Sequence, residues 1–223
     1  MYLRKMTLIV IVATIASFSI RTFGTVFPQI FKNILMVKAT ILINVLFILS
    51  HLLFWVVFYR EYISAKKSSL KKTCAGAVVG SFAVTIIYLK KLPFVFGLNI
   101  QFPPFIMNPY FDTLVPLISS VFYLIFFIAF MKSLEIDEKP GLSRPILSII
   151  TGNCIHISLH FIVLINFLLT DRFAWLEHMP RVVAVGTVPL IVTAVSLILF
   201  FYYKFYYFLD SDCYTETKNT GTP

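Results

Sequence analysis

Six apolar stretches of about 16 to 25 residues each divide this chain of 223 residues. A bilayer core is crossed by a helix of roughly 20 apolar residues, because its backbone polar groups must be satisfied within the segment. The composition agrees, since 59% of residues are hydrophobic and only 13% are charged, against roughly 25% charged in soluble domains. The sequence therefore predicts an all-α, polytopic integral membrane protein with six transmembrane helices.

The boundaries of the spans follow from the ends of the apolar stretches. The predicted spans are about 7–23 (reaching 31 at most), 35–59, 74–89, 111–131, 146–169 and 182–203. We expect residues 1–204 to form the transmembrane domain and residues 205–223 a polar cytoplasmic tail. Residues 92–110 are apolar but contain four prolines, which disfavour a regular helix, so we predict an interfacial or re-entrant loop.

The distribution of basic residues predicts the orientation. Of the 19 Lys and Arg residues, twelve fall on the side of the N-terminus and seven on the opposite side. Cytoplasmic segments carry the excess of Lys and Arg, so we expect both termini to be cytoplasmic. We expect the protein to reside in the membrane of the endoplasmic reticulum or in the plasma membrane. The net charge of +9 does not indicate nucleic-acid binding, because the basic residues flank apolar stretches. Arg21, near the end of the first span, is expected to snorkel toward the interface.

Polar residues inside predicted spans are the candidates for function, because they are costly in hydrocarbon. Thr40 lies about one turn inside the second span, and Asp112 and Thr113 open the fourth at a similar depth. A hydroxyl beside a proton acceptor is the minimum for nucleophilic catalysis. The alternatives are a threonine bonded to the carbonyl four residues earlier and an aspartate that caps its helix.

The two histidines of the fifth span, His156 and His160, are four residues apart and share one helix face. Ligation of a metal or haem together with His51 is one interpretation, although a metal would need a further ligand. The interpretation that we adopt is hydrogen bonding to neighbouring helices. We predict no metal and no other cofactor.

Three short sequence segments resemble, in their order and spacing, segments of the androgen-induced-gene family, which includes the androgen-dependent TFPI-regulating protein. They are KATILIN (Lys38–Asn44), DTLVP (Asp112–Pro116) and WLEHMPRVVAVGTVP (Trp175–Pro189). The family consists of six-helix membrane proteins with both ends in the cytoplasm. The resemblance covers most of the chain, including the basic residues before the third span and the proline-broken segment before the fourth.

The resemblance implies a threonine hydrolase that cleaves fatty acid esters of hydroxy fatty acids without a cofactor. The family's nucleophilic threonine falls on Thr40, and the place of its histidine is taken by Phe111 or Asp112. Phenylalanine cannot accept a proton, so Asp112 is the expected substitute base. We expect Thr113 and Asn166 to contact the substrate, a lipid ester that enters from the bilayer.

Two further outcomes stay open at this point. Without the family's histidine, the chain is either an active hydrolase or a catalytically degraded relative. The alternative from another functional class is a non-enzymatic receptor, sensor or transporter subunit. That alternative predicts a water-accessible path lined by the polar residues of the fifth span.

Overall fold

The computed structural model describes residues 2–27, 29, 33–64, 68–100, 102–103, 108–136, 140–170 and 181–219. Within this part of the chain the regular structure is helical, without β-strands. The α-helices are α1 (Tyr2–Val26), α2 (Ile34–Phe58), α3 (Ser68–Leu89), α4 (Leu92–Phe96), α5 (Pro109–Ile136), α6 (Ser143–Thr170) and α7 (Arg181–Asn219). A π-helical turn, Tyr59–Ile63, continues α2.

Six of these helices are long and apolar enough to cross a membrane, which confirms the predicted polytopic all-α fold. They are α1, α2, α3, α5, α6 and α7, and each contains most of one predicted span. The helices are longer than the apolar stretches, because the backbone stays helical beyond the last apolar residues. Accordingly α3 begins at Ser68, before the predicted start at Cys74, and α7 continues past Lys204 to Asn219.

The segment between α3 and α5 is more ordered at its start than its prolines suggested. Pro93 stands in the first turn of α4, where a missing backbone N–H costs nothing. Gly97 ends α4 at φ 67°, a conformation that favours glycine. Phe94 and Phe96 are exposed on this short helix. Of the predicted interfacial or re-entrant loop, residues 101 and 104–107 lie outside the described residues.

The long helices form a ring in chain order. Each packs against its neighbours in sequence, and α7 returns to pack against α1. Small residues let some of these helices approach closely. A Cβ atom built on Gly152 of α6 would lie 2.9 Å from the backbone oxygen of Ala194 in α7. One built on Gly80 of α3 would lie 3.2 Å from the Cα atom of Ser119 in α5.

Aromatic side chains fill one half of the ring, which we call the aromatic half. They come from the end of α2, the end of α5 and the middle of α7, and are Phe54, Trp55, Phe58, Phe126, Phe127, Phe130, Phe201, Tyr202 and Phe205. Their rings pack edge-to-face or stacked, as between Trp55 and Phe126 at 5.1 Å. This half lies at the end of the bundle where α1 begins, and the packed rings close it.

We expect a reporter fused to either terminus, or inserted into residues 60–73, to face the cytoplasm. An even number of spans puts both ends on one side of the bilayer, and the excess of basic residues marks that side. Glycosylation reporters or fluorescence quenching in permeabilised cells measure the orientation. A lumenal or extracellular C-terminus beside a cytoplasmic N-terminus would contradict the six-span topology.

Candidate functional site

Polar side chains gather in the other half of the ring, and we call this group the polar cluster. It takes members from α1, α2, α3, α5 and α6, and they are Ser17, Arg21, Asn44, His51, Tyr88, Ser120, His156 and His160. Polar groups removed from water require partners, because an unpaired one costs several kcal/mol in hydrocarbon. Their mutual contacts therefore define the candidate site.

Asn44 of α2 joins α2 to α1 through its side-chain amide, and Arg21 of α1 extends the contact to α3. Its Oδ1 accepts hydrogen bonds from Ser17 Oγ at 2.8 Å and Arg21 Nε at 2.7 Å. Its Nδ2 donates to the carbonyl oxygen of Thr40 at 2.9 Å. Arg21 Nη2 in turn donates to the hydroxyl of Tyr88 on α3 at 3.1 Å. The Arg21 guanidinium thus bonds to α2 and α3 although the residue as a whole is exposed, and its snorkelling to the interface stays a prediction.

Ser120 of α5 brings α6 into the polar cluster. Ser119 faces α3, because its hydroxyl donates a 2.9 Å hydrogen bond to the Gly80 carbonyl. Adjacent residues of an α-helix point about 100° apart. Ser120 therefore points toward α6, where its Oγ lies 3.1 Å from His156 Nδ1. This bond confirms, for His156, the expectation of hydrogen bonding to a neighbouring helix.

The second histidine extends this contact along α6. His160 Nε2 lies 3.2 Å from His156 Nε2, and the two rings meet edge to face with centroids 4.4 Å apart. Both imidazoles are half-buried. The result is a continuous chain of a hydroxyl and two imidazoles that runs from α5 along α6.

Electrostatic interactions connect the two parts of the polar cluster. These interactions are repulsive when the imidazoles are charged, and they act between Arg21 and both His156 and His160, and between His51 and His156. His51 itself packs edge to face against Tyr202, with centroids 5.7 Å apart. It therefore stands at the border between the polar cluster and the aromatic half.

Thr40, the expected nucleophile, is half-buried and donates its hydroxyl to the Met36 carbonyl at 2.8 Å. This is the local bond that the sequence left as an alternative. Thr40, Asn44 and His51 stand within about 40° of one another around α2, because they are separated by four and seven residues. Thr40 therefore shares the face of α2 that contributes to the polar cluster, one turn from Asn44.

Asp112, the expected substitute base, is engaged elsewhere. Its carboxylate accepts a hydrogen bond from Lys90 Nζ, and Lys91 Nζ lies 3.9 Å from its Oδ2. Lys90 is largely buried in this ion pair. Among the described residues, the hydrogen bonds and ion pairs of Thr40 and Asp112 do not join the two side chains. Their joint catalytic role stays a prediction.

The remaining predicted contacts are less defined. Thr113 is half-buried and lies seven residues before Ser120, on nearly the same face of α5. Asn166 belongs to α6, but its side chain lies outside the described residues. Within the described part of the chain, no three His, Cys, Asp or Glu side chains are grouped closely enough to hold a metal ion.

The sequence did not single out Ser120, and it did not predict the hydrogen bonds of Arg21 to Asn44 and Tyr88. The available signal was the spacing of Ser120 from Thr113, which places a second hydroxyl on one face of an apolar helix. Comparison with known proteins adds no assignment, since no family model, curated protein or solved structure matches the chain.

Proposed function

We propose that this protein is an intramembrane hydrolase of lipid esters, with fatty acid esters of hydroxy fatty acids as the substrate class. The observation that carries the proposal is the convergence of hydroxyl and imidazole groups from several helices inside an apolar bundle. Nucleophilic catalysis needs a hydroxyl and a proton acceptor held near each other. The endoplasmic reticulum or the plasma membrane is the proposed location.

A lipid ester suits this position in the bilayer. Its acyl chains partition there with roughly 0.8 kcal/mol for each buried CH₂ group, so the substrate reaches the bundle laterally. A fatty acid ester of a hydroxy fatty acid also carries a free carboxylate. The positively charged guanidinium of Arg21, in contact with the polar cluster, would attract that carboxylate.

Thr40 is the proposed nucleophile, on the basis of the family resemblance. Its place on α2 supports this role, because Asn44 binds the Thr40 carbonyl and is part of the polar cluster. To attack, the hydroxyl exchanges its bond to the Met36 carbonyl for one to a proton acceptor.

The aromatic packing bears on one part of the non-enzymatic alternative, the transporter subunit with a water-accessible path. In the described part of the chain, aromatic rings close the half of the bundle where α1 begins. The polar residues of the fifth span, His156 and His160, are bonded to Ser120 and to each other. A transporter must open to both sides of the membrane, so the packed rings count against a transporter and do not bear on a receptor or a sensor.

Labelling with a fluorophosphonate probe tests the proposal. We expect the purified protein in detergent to react covalently, with the modified peptide containing Thr40, because the probe phosphonylates activated hydroxyls with loss of fluoride. Mass spectrometry identifies the labelled residue. Modification of Ser120 instead would support the proposed hydrolase function and identify Ser120 of α5 as the nucleophile. A wild-type protein that neither reacts with the probe nor hydrolyses long-chain esters would refute the proposed function.

A further inference from the structure

We propose that Lys91, Tyr88 and Arg21 form a binding site for the carboxylate of a long-chain fatty acid, at the end of the bundle opposite the aromatic half. The inference goes beyond the proposed function, since it requires the binding of a free acid and no cleavage. In a hydrolase, the same site would hold the free carboxylate of the substrate. The contacts that carry it join α1, α3 and α5 near the membrane surface.

The Tyr88 side chain brings the two positively charged groups together. Lys91 Nζ lies 5.0 Å from the centroid of the Tyr88 ring, within the range of a cation–π contact. At the other end of the same side chain, Arg21 Nη2 donates a 3.1 Å hydrogen bond to the hydroxyl. An ammonium group and a guanidinium group from two parts of the chain thus approach one tyrosine.

The Tyr88 hydroxyl is a hydrogen-bond donor beside these cations. A guanidinium can only donate, so the Tyr88 oxygen is the acceptor in the bond to Arg21. The phenolic hydrogen is not used in that bond, and within the described part of the chain no acceptor is bonded to it. A hydroxyl that accepts from a cation is polarised into a stronger donor. A carboxylate oxygen, which only accepts, matches this hydroxyl and the neighbouring ammonium group.

The charge balance around Lys91 favours an anion. Asp112 is the carboxylate nearby, and Lys90 Nζ donates a hydrogen bond to it from a largely buried position. Lys91 Nζ lies farther away, 3.9 Å from Asp112 Oδ2, and its side chain is 40% exposed. One carboxylate balances one of these two ammonium charges, and Lys90 makes the closer contact. The charge of Lys91 therefore remains to attract an anion from outside the protein.

The surroundings of Lys91 match an anion that carries an acyl chain. Lys90 and Lys91 directly follow the end of α3 at Leu89, and α4 begins with the next residue. The apolar side chains that follow are exposed, and they are Phe94, Phe96, Leu98 and Ile100. Such side chains lie against lipid, while a lysine beside them extends to the interface. A fatty acid occupies the same two environments, with its carboxylate at the interface and its chain in the hydrocarbon.

The predicted orientation favours a fatty acid over an anionic phospholipid. This end of the bundle is the one that we expect to face away from the cytoplasm, whereas anionic phospholipids give the cytoplasmic leaflet its negative potential. The site also adjoins the polar cluster. Arg21 Nε donates to Asn44, and Asn44 Nδ2 donates to the Thr40 carbonyl. An acid bound at Lys91 and Tyr88 would therefore lie at the edge of the polar cluster.

Binding of tritiated palmitic acid to the immobilised full-length protein in a neutral detergent tests the inference. We expect unlabelled palmitic acid to compete and methyl palmitate, which has no charge, to compete at least about tenfold more weakly. Lys91→Gln should raise the Kd for palmitic acid by about tenfold or more, because one charge-assisted hydrogen bond is lost. Tyr88→Phe should also raise it, although the ring under Lys91 is retained. Scintillation proximity measures the bound acid without separation.

Lys204→Gln is the matched control. Lys204 Nζ also lies over a tyrosine ring, 5.9 Å from the centroid of Tyr203, but on α7 beside the aromatic half. This variant should bind palmitic acid as the wild type does. Equal Kd values for wild type and Lys91→Gln, or equal competition by palmitic acid and its methyl ester, would overturn the inference. Stronger competition by phosphatidylglycerol than by palmitic acid would overturn it in favour of a phospholipid headgroup.

The assay separates this inference from the proposed function. Palmitic acid contains no ester, so its binding is measured whether or not the protein is a hydrolase. Binding that depends on Lys91, in a protein inert toward esters, would support the inference and refute the proposed function. Ester hydrolysis by a protein that does not bind palmitic acid would do the reverse. Lys91→Gln should unfold near the wild-type temperature, because the Lys91 side chain is 40% exposed, so weaker binding would not reflect misfolding.

Discussion

Thr40→Ala is expected to abolish ester hydrolysis and fluorophosphonate labelling together. In a covalent route the hydroxyl forms the acyl intermediate, and no other group replaces it at the same place. Thr40→Ser should retain part of the activity, because it keeps the hydroxyl on the same face of α2. Both variants should unfold at nearly the wild-type temperature, since the bond lost in Thr40→Ala is a local one to Met36. Hydrolysis of a palmitoyl ester of hydroxystearic acid, followed by mass spectrometry, measures the effect.

Thr151→Ala is the matched control for that experiment. Thr151 also donates its hydroxyl to the carbonyl four residues earlier, at 3.0 Å, but it is exposed on the outer face of α6. The two threonines therefore differ in their surroundings rather than in their local bond. Equal activity of wild type, Thr40→Ala and Thr151→Ala would exclude Thr40 as the nucleophile. Equal inertness of all three would support the catalytically degraded relative.

Phe126→Ala is expected to destabilise the protein by about 2 to 3 kcal/mol. The Phe126 ring is fully buried and packs against Trp55 at 5.1 Å and Phe58 at 5.7 Å, so its removal leaves a cavity among rigid rings. The effect should fall below that in water-soluble cores, because lipid is itself apolar and only the packing contribution is lost. A change of this size lowers the unfolding temperature by roughly 5 to 10 °C in a chain of this length.

The buried thiol of Cys74 reports this unfolding in a variant with Cys154 and Cys213 replaced by serine. In that variant a thiol-reactive dye labels the protein only when unfolding exposes Cys74. Phe82→Ala provides the matched control. Phe82 is 57% exposed on α3, where lipid surrounds the ring before and after substitution. A loss of stability in Phe82→Ala as large as that in Phe126→Ala would show that burial within the bundle is not what stabilises it.

The sequence was sufficient for the helices because hydropathy acts over whole segments. The apolar stretches fixed the number of spans, and α2 and α6 begin within three residues of their predicted starts. Helix ends were harder, since the hydropathy signal stops where α7 leaves the hydrocarbon although the backbone continues as helix to Asn219.

The candidate site was only partly accessible from the sequence. The histidine pair was visible, because a spacing of four residues guarantees a shared face. Its partner Ser120 was not, because the rotation of α5 depends on how closely Ser119 approaches Gly80. The bonds of Arg21 to Asn44 and Tyr88 were not predicted either, because they depend on how α1 is rotated against α2 and α3. Contacts between helices depend on rotation and register, and neither is encoded in local composition.

The closure of the ring has a consequence for biosynthesis. The helix α1 packs against α7. Since α1 is synthesised first and α7 last, α1 can make this contact only after the whole bundle has been translated. Until then the flank of α1, with the charge of Arg21 held by Asn44 of α2, stays open to the bilayer or to an insertion chaperone. A truncation before α7 should therefore behave as an orphaned membrane protein and be degraded quickly, although five of its six spans are intact.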